Sequence, residues 1–149
     1  MTVRGGVDVG ATLVGHSSYE YGPPESAPAG FARQSVSAGV VPLAQKHIDE
    51  EMAVRGYQQH PNADMIVRLS SGRRIVDERV PAPSTIDNGD PEYIETDGAL
   101  VVDIFDAQSH RRLYHAMARD AVTADKIDDD QIKEAVHRLL AAVPAASRP

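Results

Sequence analysis

The chain contains no cysteine, and that absence excludes several chemistries at once. Disulfides, thiolate metal sites and cysteine nucleophiles are all ruled out, while the compartment stays open, because exported domains also fold without disulfides. Long apolar runs are missing too: nothing approaches the ~18–20 residues that a membrane-spanning helix needs. The opening residues MTVRGGVDVGATLVGH lack the charged-then-apolar layout of a signal peptide. Paired basic residues are limited to Arg73-Arg74 and Arg111-Arg112, in a chain of net charge −7. Nucleic acids and anionic membrane surfaces call for a basic face, so both are disfavoured as partners.

What is present has the composition of an ordinary globular protein, with 149 residues, 42% hydrophobic and 25% charged. That is one domain's worth of chain, able to bury a single core. Residues 1–149 therefore read as a single domain. Its strongest signal is DGALVVDIFDAQSHRRLYHAM, Asp97 to Met117. Leu100, Val102 and Ile104 share one strand face and Val101, Asp103 and Phe105 the other. Ala107 to His110 makes the turn, and Leu113 to Ala118 returns, so the stretch predicts a β-hairpin.

The other elements group around it. Residues 1–17 predict an edge strand or arm, because glycines interrupt a loose Val3, Val7, Val9, Leu13 alternation. Ser17 to Tyr21 predicts a short strand with Tyr19 and Tyr21 on one face, ended by Pro23-Pro24. Residues 22–39 read as a loop. A first helix is predicted from Leu43 to Arg55, with Pro42 in its first turn and Ala44, Ile48 and Met52 on its buried stripe. Gln45, Lys46, Asp49 and Glu50 are expected to face water. Gly56 can supply the left-handed C-terminal residue, and Tyr57 can fold back on the last turn. After a polar connection from Gln58 to Ala63, a strand begins at Asp64, with a possible bulge at Gly72 and a continuation to Val80. Residues 81–92 form a second loop, and Ala121 to Ile127 a connector. Asp128, with Gln131 three residues on, suggests a helix N-cap. Ile132, Ala135, Val136, Leu139, Leu140 and Val143 follow at helical spacing to Pro144, with residues 145–149 as a frayed tail. The pattern predicts an α+β two-layer sandwich: a mixed, mostly antiparallel sheet of four or five strands with two helices packed on one face.

Candidate chemistry is sparse. Asp103 and Asp106 are close in sequence, but strand alternation sends them to opposite faces, whereas an acid/base pair must converge. Asp103 is expected to pair with a neighbouring Arg or His, and Asp106 to begin the turn. None of the six histidines (His16, His47, His60, His110, His115, His137) has metal-motif spacing, although His110, His115 and Asp103 gather near one hairpin and could build a metal-dependent hydrolase site in space. Ser17, Ser18, Ser70, Ser71 and Ser109 lack a nucleophile-elbow context, and GVDVGATLVG matches no phosphate-binding loop. Asp128-Asp129-Asp130 lacks the spacing of a calcium loop. Tyr19, Tyr21, Tyr57, Tyr93, Phe105 and Tyr114 read as core or rim residues, with a ligand groove as the alternative. No catalytic, cofactor-binding or metal-ligating residue is expected, and no cofactor.

Several stretches, in order, resemble the bacterial envelope lipoproteins that carry domain of unknown function 4136. VDVGATLVGHSSYEY resembles the family's opening strand with its "TYxW"-like end, IDEEMAVRGY its helix ending in "GY/GF", and NADMIV its "NPDLLV"-like strand. GALVVDIFDAQSHRRLYHAMA resembles the "GTLVIDIVDAxTxxLVWRGxA" hairpin, and the last helix ends in a comparable "LLxxxP". The resemblance runs from about Val7 to Pro144. Tyr114 stands where the family usually has Trp, Ala116 where it has Gly, and Tyr21 where Trp or Phe is common. It implies an α+β sandwich and a periplasmic location, with an outer-membrane anchor on a lipid-bearing cysteine upstream of these residues; a full-length chain would instead be cytoplasmic. It supplies no catalytic residues. The expected function is that of a non-enzymatic cell-envelope domain acting through protein–protein or envelope contacts, self-association included. The alternatives are a small-molecule or lipid-binding module, with a groove between the helices and the 81–92 loop, and the metal-dependent hydrolase around Asp103 and His115.

Overall fold

The computed structural model describes residues 1–23, 39–75, 96–122 and 128–146. The expected loop 81–92, most of the loop 22–39, Val80 and Tyr93 lie outside the described residues. In chain order the elements are β1 (Thr2–Val7), β2 (Ser18–Tyr21), α1 (Val40–Val54), β3 (Gln58–Gln59), β4 (Met65–Ile75), β5 (Thr96–Asp106), β6 (Arg112–Val122) and α2 (Asp129–Leu139). The strands form one mixed sheet in the order β1-β6-β5-β4-β2-β3, so the α+β expectation holds with one strand more than foreseen. The addition is β3, in the connection read as merely polar. Gln58 N–H donates to Ser17 O and His60 N–H to Tyr19 O, both at 3.0 Å, which adds two residues in parallel beside β2.

The hairpin forms the centre of the sheet. β5 pairs antiparallel with β6 on one side and with β4 on the other. Its turn is held by Asp106, whose carboxylate accepts the Gln108 and Ser109 N–H groups at 3.2 and 2.7 Å. His110 takes a left-handed conformation, φ 63°, to close it. The β4–β5 register runs unbroken from Met65↔Asp106 to Ile75↔Thr96, through Gly72↔Ala99. The bulge expected at Gly72 is therefore absent. The irregularities lie between β5 and β6 instead, at Gly98/Leu100 and Ile104/Phe105. β6 also runs on to Val122, into the stretch read as connector. β2 and β4, the strands flanking α1, are parallel.

Strand alternation builds the second layer. Met65, Val67 and Leu69 on β4, Leu100, Val102 and Ile104 on β5, and Tyr114, Ala116 and Ala118 on β6 are buried in one cluster with α1 and α2. α1 contributes Ala44, Ile48 and Met52, and α2 contributes Ile132, Ala135, Val136 and Leu139. Each large side chain so buried adds roughly 1.5–3 kcal/mol. α1 starts at Val40, three residues before its expected first residue, and ends as foreseen. Gly56, at φ 93°, lets its N–H reach Ala53 O and the Tyr57 N–H reach Met52 O, both at 3.0 Å, the paired bonds of a Schellman ending. α2 begins as expected, with the Asp128 carboxylate accepting from the Asp130 and Gln131 N–H groups at 3.0 and 3.2 Å.

One side-chain expectation fails. Asp49 does not simply face water: the hydroxyls of Tyr19 and Tyr21 donate to its Oδ1 at 2.6 and 2.8 Å, fastening β2 to α1. Beyond α2 the chain bonds back to the end of α1 and the residues after it. Ala146 N–H donates to Arg55 O at 2.8 Å, and the Tyr57 hydroxyl donates to Pro144 O at 2.9 Å.

Candidate functional site

The sheet register decides which polar groups meet. Asp103 on β5 stands directly across from His115 on β6, on the face turned away from the helices. The residue is only 6% exposed, and its Oδ1 lies 2.5 Å from His115 Nδ1. This is the Arg or His partnership expected of it. Arg112 Nη1 approaches the same oxygen at 3.7 Å, while its Nε donates to Asp8 Oδ2 at 2.7 Å. A chain of Asp8, Arg112, Asp103 and His115 thus crosses from the end of β1 to the middle of the sheet.

Glycine permits that crossing. Gly6 pairs with His115 and Gly5 with Ala116. Gly5 adopts φ 128°, and a Cβ there would lie 2.1 Å from the His115 carbonyl oxygen. Only glycine lets β1 approach β6 so closely at this point. The result is a shallow, open depression of 480 Å³ lined by Gly5, Gly6, Val7, Asp8, Val9, Arg112 and His115. His115 reaches it with a side chain 38% exposed. A ring that bonds a carboxylate through Nδ1 is oriented to use Nε2 as base or ligand. The rest of the lining, however, offers no hydroxyl or thiol for it to activate.

The other carboxylate goes elsewhere. Asp106 accepts from His16 Nε2 at 2.7 Å as well as from the turn amides. The His16 bond, followed by the Ser109 amide, holds its carboxyl well below the usual carboxylate range. Asp103 and Asp106 therefore bind different partners, and the structure does not bring them together as a dyad. His110 stays in the exposed turn and does not line the depression. Among the described residues, no three His, Cys, Asp or Glu side chains gather as metal ligands, so the proposed His110, His115 and Asp103 site lacks its third member. The aromatic residues divide in a similar way. Tyr19, Tyr57 and Tyr114 are core, Tyr21 shares Asp49 with Tyr19, and Phe105 lies under the Arg68 guanidinium at 5.4 Å.

Sequence reasoning missed the His16–Asp106 contact and a second one, in which His47 on α1 lies between Glu50 and Asp129. Neither pair has a sequence signature, because the residues are 90 and 82 positions apart. The apolar side chains left outside were also not singled out. Among the described residues the exposed large hydrophobics are Met1, Val7, Val9, Val14 and Val54, and four of these five belong to β1 and its flanks.

Fold and site together define a class of small α+β sandwich with a carboxylate–histidine pair beside an apolar edge. Within that class the chain belongs to the family described as Domain of unknown function (DUF4136), whose model matches residues 17–145. β1 and most of the depression's lining precede the matched stretch. No curated protein matches the chain. Among solved structures, a PDZ domain protein from Parabacteroides distasonis is similar over 98% of this chain, with TM-score 0.66 and 10% identity. The chain spans 36% of that protein's length. PelC from Paraburkholderia phytofirmans, described as a dodecamer, is similar over 97% of this chain and 100% of its own, with TM-score 0.56 and 10% identity. At such identity the likeness is one of fold.

Proposed function

We propose that this domain is a non-enzymatic module of the cell envelope that works by protein contact, first of all with further copies of itself, through the edge formed by β1 and the loop after it. One observation carries this reading. Exposed large apolar side chains concentrate there: Val7 is 40%, Val9 98% and Val14 69% exposed, with Met1 at 36%. Single exposed valines are ordinary, but several along one sheet edge are a feature of binding surfaces. Among the described residues β1 has a strand neighbour on one side only, and its other side suits an added strand or packed segment. The envelope placement is supported by the lipoprotein resemblance. Self-association is supported by the shared fold of PelC, a dodecamer. The absence of a hydroxyl or thiol from the depression's lining favours binding over catalysis there.

Light scattering and native mass spectrometry over a concentration series test this, with the double variant Val9→Lys, Val14→Lys as the probe. Both side chains point into solvent, so the fold is retained, and the expected outcome is assembly in the natural chain and monomers in the variant. A natural chain that stays monomeric at high micromolar concentration, or a variant that assembles equally well, overturns the proposal. Fractionation of cells producing the gene's natural product tests the envelope placement separately.

A further inference from the structure

Residues 8–17 carry the chain from β1, at one edge of the sheet, past the β5–β6 turn to β2 near the other edge. Leu13 is sunk in the core on the way and fixes that connection. Between β1 and Leu13 the chain makes an exposed turn: Ala11 N–H donates to Asp8 O at 2.9 Å, and Gly10 takes φ 76°. β1 itself buries no residue, its six positions being exposed or half-buried. It is held by backbone pairing with β6, from Thr2↔Arg119 to Val7↔Tyr114. At its end, Asp8 N–H donates to Leu113 O at 2.8 Å, and the Asp8 carboxylate accepts from Arg112 Nε at 2.7 Å. None of these bonds distinguishes the chain's own β1 from the β1 of another copy. Glycine-rich strands that bury little are the ones prone to such exchange. The β6 edge is nevertheless selective. A Cβ at position 5 would lie 2.1 Å from the His115 carbonyl oxygen, so the strand seated there needs glycine at that register position. A second copy of this chain supplies it.

We propose that β1 is an exchangeable strand: in the assembled form the turn at residues 8–11 opens, and β1 of one copy lies on β6 of the next. This rests on the self-association reading above and names the element that carries it. Exchange restores every β1–β6 bond and the ties of Asp8 to Leu113 and Arg112. Only the Ala11–Asp8 turn bond is given up. Opened, the run from Asp8 to Leu13 reaches about 17 Å at ~3.3–3.6 Å per residue, enough to hand β1 to a neighbouring sheet edge. The two opened connections then run beside each other. Val9, left almost wholly in water by the closed turn, packs against the other copy, and that burial offsets the cost of association.

Disulfide trapping tests the exchange, because the chain has no cysteine to interfere. Arg4 and Met117 face each other in the β1–β6 register, and directly opposed strand residues lie within the separation a disulfide spans. Chains carrying Arg4→Cys and chains carrying Met117→Cys are mixed as monomers, concentrated until light scattering shows assembly, and oxidised. Denaturing mass spectrometry with peptide mapping is expected to find two chains joined between positions 4 and 117. The variant with both substitutions, diluted until monomeric, should close the same link within one chain; absence of that internal link removes the register and overturns the proposal. Assembly without an interchain 4–117 link overturns the exchange and leaves self-association standing, as do links only between two positions 4, the product of β1–β1 edge pairing. A natural chain that never assembles overturns both.

Discussion

Asp49 supports a prediction whose size can be worked from the structure. It accepts the hydroxyls of Tyr19 at 2.6 Å and Tyr21 at 2.8 Å, and the two rings meet edge to face with centroids 5.8 Å apart. Hydrogen bonds to a charged group contribute about 1.5–3 kcal/mol each. In Asp49→Ala the two hydroxyls fare differently. Tyr21 keeps a second acceptor, Gln45 O at 3.1 Å, while Tyr19, only 1% exposed, keeps the Tyr21 hydroxyl beside it. Both bonds to a charged acceptor are therefore exchanged for weaker bonds to neutral ones. The expected cost is about 2–3 kcal/mol, or roughly 5–10 °C in Tm for a chain of this size. Denaturant unfolding of the natural chain, Asp49→Ala, Tyr19→Phe and the double variant closes a cycle. If Tyr19→Phe costs as much in the Asp49→Ala background as alone, the coupling is nil and the clamp is refuted.

Two further outcomes follow from the same structure. Burial first, and then the Asp49 bond, push the Tyr19 and Tyr21 hydroxyls well above their usual titration range. The native state thus holds these protons more tightly than the unfolded chain, so stability is complete below about pH 10 and falls as pH rises beyond it. Unfolding followed from pH 8 to pH 12 should show that fall, shallower in Tyr21→Phe; equal slopes would refute the cause given. Gly5→Ala forces a Cβ to within 2.1 Å of the His115 carbonyl at φ 128°, and backbone strain of this type costs about 1–3 kcal/mol. The expected result is a released β1 over an intact core, seen as lost amide protection at Thr2–Val7 alone; unchanged protection there refutes it.

The sequence made the local elements legible and left the contacts between them hidden. The hairpin and α2 were readable because their information is periodic: alternation at Leu100, Val102 and Ile104, and helical spacing from Ile132 to Val143. Gly56 and Asp128 were readable because end chemistry is also local. β3 was not, since two glutamines have no strand pattern; the backbone of β2 selects them. Asp49 looked solvent-facing because helical spacing does not reveal two tyrosine hydroxyls 28 and 30 residues away. Alternation did separate Asp103 from Asp106, and the structure gives them different partners. What no pattern could show was that His16 reaches Asp106 across 90 positions.

The fate of the histidines joins these observations. His16 meets Asp106, His115 meets Asp103, His137 meets Glu51, and His47 lies between Glu50 and Asp129. Apart from His47–Glu50, each contact joins different elements: the loop before β2 to the hairpin turn, β6 to β5, and α1 to α2. In a chain without cysteine they act as noncovalent cross-links. Such bonds constrain the unfolded chain not at all, unlike a disulfide. A catalytic histidine needs one nitrogen directed at a substrate and a pocket to hold that substrate. His47 is buried with both nitrogens occupied, and His16 has Leu13 O near its second nitrogen, at 3.3 Å. Among the described residues His115 combines a buried carboxylate partner with an open depression, yet that depression is shallow and rimmed by exposed valines. The same β1 edge that leaves His115 accessible also presents the apolar surface, so the accessible polar group and the proposed docking edge coincide.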